Sequence, residues 1–236
     1  MPGTVLITGA NGSLAQAFIA HLLATEKDLT LIGTVRNTSP SDANTASLRT
    51  ILSKHPHHNI SLEPLDLTSL SSVRRFTHTL STQIKNGSIP PLSAIICNAF
   101  TWSLSGTTKY SPDGFETSFQ VTYLSHFLLL MTLLPSMDKT KGRIVLLGSV
   151  AHYPERPNPL SRHLSYFPDD LDELVHPPVY PEEEAHDRGW QRYGTAKLMT
   201  VVLMNCLNRR LEKVFPFFFF YWFCFSGYYA RGGSVW

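Results

Sequence analysis

Tyr193 and Lys197 stand four residues apart in the run Tyr193-Gly194-Thr195-Ala196-Lys197. On a helix, positions i and i+4 share a face, so this spacing sets a phenol beside an ammonium. A nearby ammonium favours the phenolate and eases proton transfer through the tyrosine at neutral pH. Far upstream, Val5-Leu6-Ile7-Thr8-Gly9-Ala10-Asn11-Gly12 is an apolar run that breaks into a glycine turn. A turn of that kind lets backbone N–H groups approach a pyrophosphate. A nucleotide at one end and a proton-relaying tyrosine at the other point to redox chemistry on a carbonyl or an alcohol. Tyr-x-x-x-Lys pairs also arise by chance on exposed helices, so the weight of this reading falls on the pieces between.

Those pieces alternate between strand and helix patterns. Thr4 to Thr8 reads as a buried parallel strand, and Ser13 to Ala24 as the amphipathic helix that follows its turn. The helix N-terminus would face the phosphates, with Gly9, Asn11, Gly12, Ser13 and Leu14 around them. Leu29 to Val35 is a second strand, and Arg36 follows it. A carboxylate at that point would suit the ribose hydroxyls of NAD; a cation suits a 2′-phosphate, so NADP(H) is favoured over NAD(H). Thr45 to Lys54 reads as a modest helix. Ile60 to Leu65 is a third strand ending at Asp66, which either meets an adenine amino group or caps the helix starting near Ser69. Ala94 to Cys97 is a fourth strand, ending at Asn98-Ala99, and Phe100 to Asp113 a loop. Gly114 to Met137 reads as one long buried helix, and Arg143 to Leu147 as a fifth strand that delivers Ser149, a hydroxyl placed to hold a carbonyl oxygen. Ala151 to Asp187 carries seven prolines and reads as a long loop over the substrate cleft, before a helix from Trp190 to Lys213.

Composition narrows the class. The 236 residues allow one domain with a sizeable core. A net charge of +2 without a dense Lys/Arg block gives no reason to expect nucleic acid. Cys97, Cys206 and Cys224 lack metal or disulfide spacing, and His55, His57 and His58 read as surface loop, so no metal is expected. The N-terminus enters a strand with no basic stretch and apolar core before it, which argues against a signal peptide and for a cytoplasmic setting.

In this order the pieces resemble the short-chain dehydrogenase/reductase family in its single-domain form, from Val5 to about Lys213. Thr8-Gly9-Ala10-Asn11-Gly12-Ser13-Leu14-Ala15 resembles its cofactor turn, with Ser13 and Ala15 where the family has glycines. Asp66-Leu67 resembles the adenine-contacting pair. Cys97-Asn98-Ala99-Phe100 resembles the Asn-Asn-Ala-Gly segment, with Cys97 for an asparagine and Phe100 for the glycine. Phe119 to Phe127 resembles the central helix, with Thr122 in place of its catalytic asparagine. Gly148-Ser149 and Tyr193-x-x-x-Lys197 match the family's serine, tyrosine and lysine. The resemblance implies an α/β fold, a Rossmann-like doubly wound parallel sheet. It implies Ser149, Tyr193 and Lys197 as catalytic residues. Gly9, Asn11, Gly12, Ser13, Leu14, Arg36, Asp66, Leu67, Asn98, Ala99, Tyr193 and Lys197 would hold the cofactor. The substrate would be a small or lipophilic carbonyl or alcohol, and the enzyme a homo-oligomer through its long helices. The insert before Tyr193 is similar to that of members acting on lipophilic alcohols and carbonyls. A nucleotide-binding remnant without turnover and a membrane-associated scaffold are the alternatives.

Residues 1–213 thus read as the nucleotide-binding catalytic domain and 214–236 as a tail foreign to it. Half of the fourteen phenylalanines fall in that tail, an abrupt change of composition that resembles translated non-coding sequence such as a retained intron. The sheet is expected to be incomplete after the fifth strand and its following helix, leaving an open apolar edge. The tail would either pack over that edge or make a weak interfacial membrane contact along Val214 to Ala230.

Overall fold

The structure, a computed structural model, describes residues 3–103, 107–156, 161–211 and 219–225. Six strands, β1 (Gly3–Thr8), β2 (Leu29–Val35), β3 (Asn59–Pro64), β4 (Leu92–Cys97), β5 (Arg143–Ser149) and β6 (Phe219–Phe225), form one parallel sheet in the order β3-β2-β1-β4-β5-β6. This is the Rossmann-like doubly wound arrangement, in which the strand order reverses between β1 and β4.

Helices cover both faces, because parallel neighbours need crossovers that return the chain over the sheet. Along β1 the side chains alternate. Val5 and Ile7 join one apolar cluster with α1 (Ser13–Thr25) and α2 (Ala43–Leu52). Leu6 joins another, with α3 (Leu70–Lys85), α5 (Ser125–Leu133) and α6 (Ala185–Leu211). Burial on both sides is why this strand is apolar throughout rather than alternating.

The long central helix departs from a regular pattern. It opens as α4 (Thr117–Phe119), passes through a π turn at Gln120–Leu124 and becomes regular again as α5. Glu116 starts it by accepting the Phe119 N–H at 2.6 Å, so the helix begins at Thr117 rather than at Gly114. The span Thr117–Ser136 is apolar and long enough to cross a membrane, yet more than half of its apolar window is buried inside the fold. It is a core helix by position. α6 starts at Ala185 rather than at Trp190, and the expected end at Lys213 lies outside the described residues.

The expected open edge beside β5 is corrected. Phe219–Phe225 pairs in parallel along the whole of β5, from Arg143↔Phe219 to Ser149↔Phe225. An edge strand presents a row of unpaired N–H and C=O groups, and an aromatic-rich segment fits a pleated surface; together these favour strand addition. Of the two readings of the tail, edge cover is the one the fold contains, and these seven residues are strand rather than helix. Residues 214–218 and 226–236 lie outside the described residues.

Candidate active site

The cleft at the C-terminal edge of the sheet has a volume of about 730 Å³ and opens over the ends of β1 to β4. Gly9 ends β1 with φ of +63°, a left-handed conformation, and a Cβ there would come within 3.0 Å of the Ala99 Cβ. Glycine is therefore required twice over, by backbone conformation and by the approach of β4. The Gly12 N–H closes the turn on the Gly9 carbonyl at 3.0 Å, and Gly12 leads into α1 with no side-chain cap. By contrast Asp42 caps α2 through the Thr45 N–H at 2.9 Å, and Ser69 caps α3 through the Ser72 N–H at 3.3 Å. Of these three helices α1 is the one whose N-terminus carries no side-chain acceptor, the arrangement that suits an anion.

Gly9, Asn11, Gly12, Arg36, Asp66, Leu67, Asn98 and Ala99 all line this cleft. Ser13 and Leu14 do not; they sit exposed on the first turn of α1, because that turn directs their side chains away. Arg36 is exposed in the wall, beside Asn37, Asp42 and Asn44, which the sequence reading passed over. Asp66 accepts from the Thr68 N–H at 2.9 Å and the Thr68 hydroxyl at 2.8 Å, both through Oδ1. Ser69 caps α3, so Asp66 faces the cleft instead of serving as the cap. Asn98 donates from Nδ2 to the Thr8 and Gly9 carbonyls at 2.9 and 3.1 Å, fastening β4 to the glycine turn. This end of the cleft fits a dinucleotide: a glycine cradle, an uncapped helix start and an exposed cation in the wall.

Tyr193 and Lys197 share one face of α6, as their spacing predicts, and both are buried, at 5% and 3% exposure. Two approaches set them there. Gly194 lies so close to the Ser165 hydroxyl and the Ala151 carbonyl that any Cβ would collide with both, and Ser165 donates to that carbonyl at 2.6 Å. Lys197 Nζ donates to the Leu147 carbonyl at 2.6 Å, tying α6 to β5. Burial holds the Lys197 ammonium down to about 8, partly opposed by Cys97. The Cys97 thiol is pushed up to about 12 by burial, against the pull of Lys197, and stays protonated. Ser149 ends β5, half-buried, and its Oγ accepts the Ala151 N–H at 3.2 Å. The middle of the long insert packs against α6 near Tyr193: Tyr166 N–H donates to the Thr195 hydroxyl at 3.4 Å and Gln191 Nε2 to the Leu164 carbonyl at 2.8 Å.

Ser149, Tyr193 and Lys197 are not in the cleft lining; Phe100 stands between. Its ring centroid is 5.0 Å from Lys197 Nζ and 5.9 Å from the Tyr193 ring, and it also lines the cleft. Phe100 stacks on Trp102 at 5.2 Å, and Trp102 on Trp190 at 5.3 Å. Both tryptophans present edges to Tyr193, at 5.3 and 5.7 Å. The resemblance marked Phe100, which stands where the family has a glycine; nothing in the spacing marked Trp102 and Trp190, which come from the loop after β4 and from α6. Among the described residues no cluster of three or more His, Cys, Asp or Glu is arranged to hold a metal.

The family model described as short chain dehydrogenase matches residues 3–159. The short-chain dehydrogenase iccH of Talaromyces variabilis is 38% identical over 242 residues, which cover 89% of this chain and 65% of that protein. The crystal structure of an NADPH-bound carbonyl reductase from chicken fatty liver superposes with a TM-score of 0.61 at 20% identity, covering 94% of this chain and 76% of that one. An NADH-dependent reductase complexed with NAD superposes with a TM-score of 0.61 at 12% identity, covering 94% and 78%. These two likenesses show the fold, and their cofactors differ. The chain spans less than two thirds of the length of the curated relatives it matches. With the sheet order, the glycine turn and the matched residues together, the chain belongs to the short-chain dehydrogenase/reductase family of NAD(P)-binding oxidoreductases.

Proposed function

We propose that residues 1–213 form an NADP(H)-dependent oxidoreductase unit that interconverts a carbonyl and an alcohol on a small or lipophilic substrate, with the tail strand as its edge cover. The observation that carries this reading is the buried Tyr193–Lys197 pair on one face of α6, beside the end of β5 that bears Ser149. When bound, the nicotinamide supplies or accepts the hydride. Gly9, Asn11, Gly12 and the first-turn N–H groups of Ser13 and Leu14 surround the phosphates. Arg36 meets the 2′-phosphate, Asp66 and Leu67 the adenine, and Asn98 and Ala99 the adjoining ribose region.

In the reducing direction the Ser149 hydroxyl holds the carbonyl oxygen and Tyr193 gives that oxygen its proton. Lys197 is close enough to Tyr193 to stabilise a tyrosinate, its ammonium lying 5.8 Å from the ring centroid. A charged Lys197 serves this role below pH 8, where its depressed value leaves it protonated. It also orients the nicotinamide ribose.

The test is a fluorescence titration of the purified chain with NADPH and with NADH. Saturable binding with NADPH preferred at least about tenfold supports the reading, as one charge-assisted contact to a phosphate is worth that much. Loss of the preference in Arg36→Ala assigns it to that residue. Binding without turnover on any carbonyl or alcohol would favour the nucleotide-binding remnant instead, a reading to which the position of Phe100 lends support. The absence of saturable binding would overturn both.

A further inference from the structure

His126 is buried at 3% exposure on the first turn of α5, and both of its ring nitrogens are engaged. Nδ1 lies 3.2 Å from the Thr122 carbonyl, within the π turn, and Nε2 lies 2.9 Å from the Thr8 hydroxyl. A carbonyl only accepts, so Nδ1 carries the proton. Burial holds the imidazole down to about 4, against the opposing Thr122 bond and with help from the Lys197 charge, so the ring is neutral. Neutral and protonated at Nδ1, the ring must accept at Nε2, and the Thr8 hydroxyl must donate to it. The other acceptor near that hydroxyl, the Ile96 carbonyl, is farther away at 3.5 Å.

With its proton spent on His126, the Thr8 oxygen turns its lone pairs toward β4. It accepts the Asn98 N–H at 3.0 Å and the Ala99 N–H at 3.1 Å. Thr8 precedes Gly9, and Asn98 and Ala99 line the cleft. One imidazole therefore fixes the direction of a hydroxyl that joins the two strands at the reversal point of the sheet, and ties both to the π turn. His126, Thr122, Thr8 and Asn98 are buried and Ala99 is half-buried, so an unmade bond at the imidazole has no water to replace it.

We propose that His126 is a positioning residue for the cofactor cleft: acting through Thr8, it holds the glycine turn and the Asn98–Ala99 segment in the arrangement that receives the dinucleotide. This rests on the functional reading above. The two arms of the imidazole are separable by substitution. A glutamine carries its oxygen to about the place of Nε2 and keeps the acceptor for Thr8. An asparagine carries its amide nitrogen to about the place of Nδ1, keeps the Thr122 bond and loses Thr8.

The experiment compares NADPH affinity and thermal stability of the full chain with those of His126→Gln and His126→Asn. Both variants are expected to lose stability to a similar extent, each having lost one buried bond. The affinity should split: His126→Gln within about twofold of the parent, and His126→Asn weaker by about tenfold, as expected when one buried polar contact fails. Equal weakening in both variants, or none in either, would make His126 a scaffold residue and overturn the proposal. A second measurement needs no ligand. The ¹⁵N shifts of the His126 ring should report the neutral Nδ1–H tautomer from pH 5 to 8. An Nε2–H tautomer, or titration within that range, overturns the assignment alone. A parent chain with the Nδ1–H tautomer that binds neither NADPH nor NADH overturns the functional reading, and the role of His126 in cofactor binding with it.

Discussion

At the β1–β3 end of the cleft, the groups offered to a ligand are open to water. Arg36, Asn37 and Gly12 are exposed, and α1 starts without a side-chain cap. Outside the cleft lining, toward β5, the reverse holds. Tyr193 and Lys197 are nearly inaccessible, three aromatic side chains pack around them, and Phe100, itself 42% exposed, forms the partition. The difference suits the chemistry proposed for each end. A phosphate is bound well by exposed donors, because it arrives with full charge and gives up water gradually. A proton-relaying pair gains from exclusion of water, because low polarity is what moves a lysine from its ordinary value of 10.5 to about 8. On the proposed reading one end recognises and the other is tuned, and the Phe100 ring stands between them.

The comparison is broken most severely by removing the phenol. Tyr193→Phe should lower kcat by about a thousandfold, the scale of lost general acid catalysis, while leaving the Kd for NADPH within about threefold. Steady-state kinetics beside a binding titration checks this; parallel loss of both would place Tyr193 at the recognising end.

Next in size is the cost of tuning. In the folded chain Lys197 titrates near 8 and in the unfolded chain near 10.5, so between these values the unfolded state binds more protons. The destabilisation is complete below pH 8 and is relieved as pH rises through that window. Lys197→Met should therefore stabilise the chain at pH 7 by up to on the order of 3 kcal/mol, less whatever the lost bond to Leu147 contributed, and the advantage should vanish by about pH 10.5. Urea unfolding at pH 7, 9 and 10.5 measures it. A difference independent of pH would mean that the burial of Lys197 carries no such cost.

The smallest effect sharpens the partition itself. Phe100→Ala should tighten NADPH binding by about fivefold to tenfold, if the parent ring must swing aside before the nicotinamide end enters. It should leave 2′-phospho-ADP-ribose, which lacks that end, within about twofold. The stacked Trp102 and Trp190 provide an intrinsic fluorescence signal for the same motion. Equal changes for the two ligands would show that Phe100 acts on the fold as a whole.

Much of this molecule was legible before any fold was known. The bounds of β2 follow from an apolar run ended by Arg36, and α3 starts beside Ser69 as expected. The glycine turn, Arg36, Asp66 and Asn98 share one cleft, as their places at strand ends lead one to expect in a sheet of this kind. The side chains of Ser13 and Leu14 turn away from the cleft; a motif gives positions along the chain and not the direction in which a helix turn sends its side chains, and what these two residues offer a phosphate is backbone N–H. The sixth strand was missed for a different reason. Parallel pairing is a long-range event, and a phenylalanine-rich segment of seven residues has no periodicity that separates strand from buried or interfacial helix.

What the sequence determined by itself was local: the strand and helix periods, the i, i+4 pairing of Tyr193 with Lys197, and the glycine where β1 must turn. Tertiary structure alone decided the rest. It brought Phe100 between the cleft and the pair, sank Lys197 far enough to change its proton affinity, laid the tail along β5, and spent both nitrogens of His126 on residues 4 and 118 positions away. Periodicity and turn chemistry are written in neighbours along the chain. Burial, and every pKa and hydrogen bond that depends on it, is a property of what arrives from elsewhere.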